Sequence, residues 1–337
     1  MKVNCLLKDA AGKINGGHAV DTLDGKEYQI KSKVVVNATG VFVDDVMKMD
    51  ECDTRRKVRP SQGVHLVVDS KFLGGRSALM IPKTKDGRVL FGVPWHGKVV
   101  LGTTDTPLNE ASLEPRALEE EVDFILDQAG QYLDRKPTRA DVLSIFAGLR
   151  PLAAPTHADS KKTKEISRNH KIYRSKSGLL TITGGKWTTY RAMAEDVINQ
   201  AIVIGGLSPA ECVTKNLRVH GYTKEQFDEN DWNYVYGSDA SKIQKMIEKE
   251  PSFAEKLYEG YTFTAAHVVW AAREEFAQNI EDVLARRVRM LFLDARAALK
   301  IAPKVASVLA AELGKDKTWE QAQIADFNRL ARGYILN

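Results

Sequence analysis

Cysteine is scarce in this chain of 337 residues: only Cys5, Cys52 and Cys212, far apart and in no paired spacing. That excludes a disulfide framework and a zinc knuckle and suits a reducing compartment, so the expected location is the cytosol. No stretch approaches the ~20 apolar residues that cross a bilayer. The opening MKVNCLLKDAAGK lacks the apolar centre of an export signal. Glycine is plentiful, at 24 residues, yet no two are separated by a single residue, so the G-x-G-x-x-G dinucleotide fingerprint is missing. A Walker A loop, an H-E-x-x-H zinc helix and a G-x-S-x-G nucleophile elbow are missing as well. The seven histidines are scattered without metal-ligand spacing, and no metal is expected.

What is present is the composition of a globular protein, 43% hydrophobic and 28% charged, long enough for two domains. Disorder, collagen and a coiled-coil rod are excluded. The net charge of +5 hides an asymmetry: residues 221–337 hold 16 Lys/Arg against 18 Asp/Glu, leaving 33 against 26 in residues 1–220. A basic excess confined to one part points to an anionic ligand there. The only short basic run, Lys161-Lys162-Thr163-Lys164, reads as a solvated loop, and no nucleic-acid partner is expected.

Residues 1–45 read as strands and turns, closing on Val34-Val35-Val36 and then Asn-Ala-Thr-Gly, as a parallel strand looks where it meets a ligand. GVHLVVD, SALMIPK, RVLFGVPWH and KVVLGTTD are short, turn-separated and often alternating, as in an antiparallel sheet. A helix is expected around 115–133, with Val122, Ile125, Leu126 and Ala129 on one stripe. Strands return at SIFAGLRPL, HKIYRS and GLLTIT, followed by Gly184-Gly185-Lys186 and a helix from Thr188 to about Ile204. From about 225 the pattern is helical, with Pro303 expected to split one long run into two helices. The fold class is therefore α/β (α+β). Its expected parts are a parallel-sheet piece at 1–45, an antiparallel region at 46–145, a return to the first layer at 146–220 and an all-helical C-terminal domain at 221–337.

Several constellations could carry chemistry. In TITGGKWTTYRAMAEDVINQ two adjacent glycines let backbone approach a flat ligand, and the following helix aims unpaired N–H groups at it. Gly-Gly-Lys alone reads equally well as a tight turn with an exposed lysine. Arg150, in Ala-Gly-Leu-Arg-Pro-Leu, sits on stiff backbone suited to fork-like recognition of a carboxylate or phosphate, or to a surface ion pair. Arg168 offers the same pair of readings. His65, in GVHLVVD, is a candidate general base or a hydrogen-bonded core residue. Gly102-Thr103-Thr104-Asp105 reads as a turn or as a loop lining a ligand.

Taken in order, VVNATG, QGVHLVV, VLFGVPW, LGTTDT, AGLRPL, SR and TITGGKWTTYR resemble the aerobic, FAD-dependent glycerol-3-phosphate dehydrogenases. The stretch from Ile280 through LARR to RMLFLDARAA is similar to the helical C-terminal domain of that family. The resemblance implies oxidation of sn-glycerol 3-phosphate to dihydroxyacetone phosphate by hydride transfer to FAD, with electrons passed to a quinone, or to oxygen in the oxidase branch. Matched position by position, it implies that His65, Arg150, Arg168 and Lys186 act on the substrate. It implies that Ala38, Thr39, Gly40, Gly184, Gly185, Lys186, Thr188 and Thr189 border the cofactor. By the same resemblance residues 1–45 are the remnant of a truncated, Rossmann-like FAD-binding domain, the antiparallel sheet binds substrate, and peripheral membrane contact and a homodimer are expected. The family begins with a dinucleotide-binding segment upstream of anything here. The chain is thus expected to be a fragment that does not hold FAD tightly by itself. Two other readings remain open at this point: another amino-acid-oxidase-like flavoprotein, or a non-catalytic module for assembly or membrane docking.

Overall fold

A computed structural model describes residues 1–154, 169–226, 228 and 231–336. The chain opens with strands β1 (Lys2–Lys8), β2 (Ile14–Val20), β3 (Glu27–Lys31) and β4 (Val36–Asn37), then helix α1 (Val43–Asp50). Strands β5 (Val58–Asp69), β6 (Leu79–Ile81), β7 (Leu90–Trp95), β8 (Lys98–Gly102) and β9 (Thr106–Pro107) lead to α2 (Glu119–Ala129) and β10 (Ser144–Ala153). Strands β11 (Lys171–Arg174) and β12 (Leu180–Thr183) precede α3 (Tyr190–Ile204) and α4 (Ala240–Lys249). Then come α5 (Ala265–Glu274), a π-helical turn (Asp282–Arg287), α6 (Met290–Leu293), α7 (Ala295–Leu313) and α8 (Lys317–Arg332). Two compact units result: Met1–Gly63, Asp105–Pro115 and Gly148–Leu217 form the first, and Val64–Thr104, Arg116–Ala147 and Arg218–Asn337 the second.

In the first unit β1, β2 and β3 make an antiparallel meander, turned by Asp9, whose carboxylate accepts the Ala11 and Lys13 N–H groups at 2.9 and 2.8 Å. A second sheet has the order β11-β12-β4. β11 and β12 are antiparallel, whereas β12 and β4 run parallel, with Leu180 opposite Val36 and Thr181 opposite Asn37. Leu180 and Ile182 of β12 pack on Val197 and Ala201 of α3. The parallel strand expected from the Val34–Val36 run exists, but its pairing covers only Val36–Asn37.

In the second unit the antiparallel sheet puts Val64, Leu66, Val68, Leu90, Val99 and Leu101 against Val122, Ile125, Leu126 and Ala129 of α2. The period of two in the strands meets the three- and four-residue spacing of the helix, as the sequence pattern requires. α2 starts where Glu121 turns back to accept the Leu118 N–H at 3.0 Å. The antiparallel sheet and the C-terminal helices thus belong to one unit.

The helical core is built from Ala- and Leu-rich faces of α5, α6 and α7, including Val268, Leu291, Ala298, Ile301, Ala302, Val305 and Leu309. Pro303 does not split the long run as expected: α7 passes through it from Ala295 to Leu313. The proline stands on the exposed side of the helix while its neighbours Ile301, Ala302, Val305 and Ala306 are buried. The proline ring is thus kept out of the packed face, which holds the helix continuous.

Candidate active site

Two glycine-bearing turns singled out by the sequence lie side by side. Because β4 and β12 are parallel neighbours, Asn-Ala-Thr-Gly after β4 and Gly184-Gly185-Lys186 after β12 leave the sheet at the same, carboxyl end. In open α/β sheets that edge is where ligands bind. The first turn is pinned from beneath by Asn37, which is buried. Its Nδ2 donates to the Val43 carbonyl at 2.9 Å and to Thr181 Oγ1 at 3.3 Å, and its Oδ1 accepts the Thr39 hydroxyl at 2.7 Å. Asn37 therefore joins the two turns through β12 and leaves Ala38 and Thr39 exposed. It is the first polar residue after the apolar run Val34-Val35-Val36.

The second turn needs both its glycines. Gly184 and Gly185 have φ of 77° and 72°, a region that other residues enter at a cost. A Cβ on Gly184 would lie 2.9 Å from the Asn169 carbonyl oxygen, and one on Gly185 would run into Met193 Sδ. Beyond them the chain forms a 3-10 turn, Trp187–Thr189, leading into α3. The Lys186 N–H donates to Thr189 Oγ1 at 3.2 Å, and that hydroxyl donates back to the Lys186 carbonyl at 2.9 Å. Lys186, Thr188 and Thr189 are exposed, and the ring of Trp187, 83% exposed, stacks on that of Tyr190 at 5.4 Å. The edge thus offers glycine backbone, hydroxyls, a helix start and a lysine to a flat anionic group.

Arg150 is held by residues far from it in sequence. Its Nη1 is 3.5 Å from Asp105 Oδ1, and the same carboxylate oxygen accepts a hydrogen bond from Ser61 Oγ. Gly63 supplies the room, since a Cβ there would sit 2.7 Å from the guanidinium carbon. Ser61, Gly63 and Asp105 make Arg150 a fixed fork, the arrangement that recognises phosphate or carboxylate. Arg168 lies outside the described residues.

In the second unit His65 stands on β5 opposite Gly102 of β8. Its ring stacks on Phe146 at 5.2 Å and 18°, and lies so close over Gly102 that a Cβ there would be 3.0 Å from Cγ. Below it, Thr104 Oγ1 accepts the Val64 N–H at 3.0 Å and donates to the buried Glu121 carboxylate at 2.8 Å. The imidazole plane is therefore set by an aromatic face and a strand without a side chain. Phe146 and Thr104 were invisible as support from spacing alone. Among the described residues no group of three or more His, Cys, Asp or Glu could hold a metal ion, and no helix is long and apolar enough to cross a membrane.

Residues 3–191 match the family described as FAD dependent oxidoreductase. The chain belongs to that family. Residues 180–321 match the C-terminal domain of alpha-glycerophosphate oxidase. The mitochondrial glycerol-3-phosphate dehydrogenase of Arabidopsis thaliana is 38% identical, covering 96% of this chain and 55% of its own length. The human mitochondrial enzyme of the same name is 35% identical over 96% of this chain and 48% of its own. The glycerol-3-phosphate dehydrogenase of Bacillus halodurans, solved with FAD, superposes with a TM-score of 0.83 at 28% identity, covering 99% of this chain and 68% of the other. The chain thus spans about half the length of the curated relatives it matches. The resemblance carried by NATG, AGLRPL and TITGGKWTTYR holds, and the flavoprotein fold it implied is the one observed.

Proposed function

We propose that this chain carries the flavin- and substrate-facing part of a dehydrogenase that oxidises sn-glycerol 3-phosphate to dihydroxyacetone phosphate and passes electrons to a quinone. The observation that carries this reading is the adjacency of two glycine turns at the carboxyl end of the parallel strands β4 and β12, ahead of the α3 helix start. Such an edge fits FAD: glycines admit a flat ring, and helix-start N–H groups favour an electron-rich one. Bound there, FAD supplies a two-electron acceptor for the hydride that leaves substrate C2.

The protein's own residues then have separable tasks. Gly184, Gly185, Thr188 and Thr189 would border the ring, and Ala38, Thr39 and Gly40 the adjoining part of the cofactor. Arg150, braced by Asp105 and Ser61, would hold the phosphate dianion together with Arg168. His65, its plane fixed by Phe146, would take the hydroxyl proton as the carbonyl forms, so that the hydride and the proton leave by different routes. Lys186, exposed beside the flavin turn, would add positive charge where reduced flavin is anionic. A homodimer in peripheral contact with the cytoplasmic face of a membrane completes the proposal. The named eukaryotic relatives are mitochondrial proteins, so the compartment is to be read by fractionation.

The test is a visible absorbance titration of the purified chain with FAD, gel filtration, and anaerobic addition of glycerol 3-phosphate. Flavin held weakly, lost on gel filtration yet bleached by glycerol 3-phosphate while FAD is in excess and recoloured by a soluble quinone, is the expected result. Flavin that bleaches with an amino acid but not with glycerol 3-phosphate would overturn the substrate assignment. Failure to bind flavin at all would overturn the claim that this chain alone carries the site.

A further inference from the structure

Beside the Gly184-Gly185 turn lies a pair of ionisable side chains that no role above uses. His170 precedes β11, and Asp196 lies on α3; their side chains meet at 2.7 Å, Nε2 to Oδ2. The pair borders an open hollow of about 330 Å³ that is also lined by Ile172, Asn199 and Gln200. On α3, Met193, Asp196 and Gln200 follow one another at three- and four-residue spacing, so they occupy one face.

Close approaches from that face and from the start of β11 hem in the turn. A Cβ on Gly185 would run into Met193 Sδ and would stand 3.4 Å from His170 Cβ. A Cβ on Gly184 would lie 2.9 Å from the Asn169 carbonyl and 3.6 Å from His170 Cα. The antiparallel register, with Lys171 opposite Thr183, brings Asn169 and His170 alongside the two glycines. The turn is thus sandwiched between the start of β11 and the first turns of α3, and His170–Asp196 is the polar clasp across those two layers. Two consecutive glycines have no side chains of their own with which to hold one conformation. A turn that must present backbone to a ligand in a single geometry therefore needs its clasp supplied from outside.

We propose that His170 and Asp196 form a positioning pair that fixes the conformation of the Gly184-Gly185 turn, and through it the presentation of Lys186 and the α3 start to the flavin. The second half rests on the flavin reading above; the first half does not. Asp196 anchors the His170 side chain, and His170 so anchored keeps the start of β11, with the Asn169 carbonyl, against Gly184. Neither residue needs to touch substrate or cofactor.

The experiment uses the full chain in four forms: wild type, His170→Ala, Asp196→Ala and the double variant. His170→Gln, which keeps a donor for Asp196, serves as rescue, and Asn199→Ala, in the same hollow but outside the pair, serves as control. Amide hydrogen exchange read by mass spectrometry is followed over peptides spanning 183–190 without flavin, and FAD affinity and the visible flavin band are measured in parallel. The expected result is about tenfold faster exchange in that segment for either alanine variant, as fits loss of one partly exposed charged hydrogen bond. The double variant should be no worse than the singles, and His170→Gln and Asn199→Ala should behave as wild type. FAD affinity should fall by a similar factor, and the visible band should shift in the same variants. Exchange at wild-type rates in both alanine variants would overturn the pair's role, as would an equal effect from Asn199→Ala. Should wild type bind no FAD, the flavin reading fails while the exchange measurement still decides whether the pair fixes the turn. If an alanine variant does not fold, Asp196→Asn, which keeps the shape and weakens the bond, takes its place with a smaller change of the same sign.

Discussion

His267 provides a quantitative test of how the helical part is held. It is buried on α5 at 2% exposure, between the rings of Tyr236 and Phe263. Its Nδ1 accepts the Thr264 N–H at 3.0 Å, and its Nε2 faces Asn233 Oδ1 at 2.8 Å. Those partners define the neutral tautomer with the proton on Nε2, donating to Asn233. Burial disfavours the charged ring and pushes its pKa down to about 4, from 6.5. Above pH 6.5 the residue is neutral folded or unfolded, and its contribution is complete. As pH falls below 6.5 the unfolded chain takes up a proton that the folded chain refuses until about pH 4, so stability drains across that window. The loss by pH 4 is about 3 kcal/mol, roughly 1.4 kcal/mol for each unit of displaced pKa. The assay is urea unfolding followed by far-ultraviolet circular dichroism at pH 7, 6, 5 and 4 for wild type and His267→Gln. Glutamine accepts at the helix start without titrating. The gap between the two proteins should close by about 3 kcal/mol from pH 7 to pH 4. Parallel curves over that range would refute the assignment, since carboxylates shared by both proteins cannot produce a difference.

Three further outcomes follow from single contacts. Gly185→Ala should lower stability by about 1–3 kcal/mol, measured by urea unfolding, because the position has positive φ and Met193 fills the space. Gly63→Ala should displace the Arg150 guanidinium and raise the KM for glycerol 3-phosphate about tenfold with a smaller change in kcat, read by steady-state kinetics on flavin-loaded protein. Asp316→Ala removes the side chain that accepts the Trp319 N–H at 2.8 Å at the start of α8 and should cost about 1 kcal/mol in thermal or chemical unfolding.

The parts of the site legible in the sequence are those whose physics is local. An apolar run ending in Asn-Ala-Thr-Gly, or in Thr-Gly-Gly-Lys before a helix, announces a strand end and a backbone without side chains, and both turns lie where such signals place them. The α2 stripe was legible for the same reason, because Val122, Ile125, Leu126 and Ala129 share a helix face by spacing alone. What stayed hidden depends on pairing across the chain. Ser61 and Asp105 brace Arg150 only because β5 and β9 pair, and no local pattern near Arg150 names them. His170 and Asp196 meet only because α3 folds back over β11. Pro303 is a related case: local sequence marks a helix breaker, whereas its cost depends on which face of the helix it occupies.

Strand β5 sets a rule for how this protein can change. Val64, Leu66 and Val68 point into the core against α2, and His65 falls between two of them. Loss or gain of a single residue upstream in the strand would send the imidazole into the core and carry valine and leucine out to its place. The imidazole can therefore be relocated along β5 only in steps of two. Tolerated insertions near it should come in pairs or fall in the turns that flank the strand, which gives a phase constraint for any library built around this position.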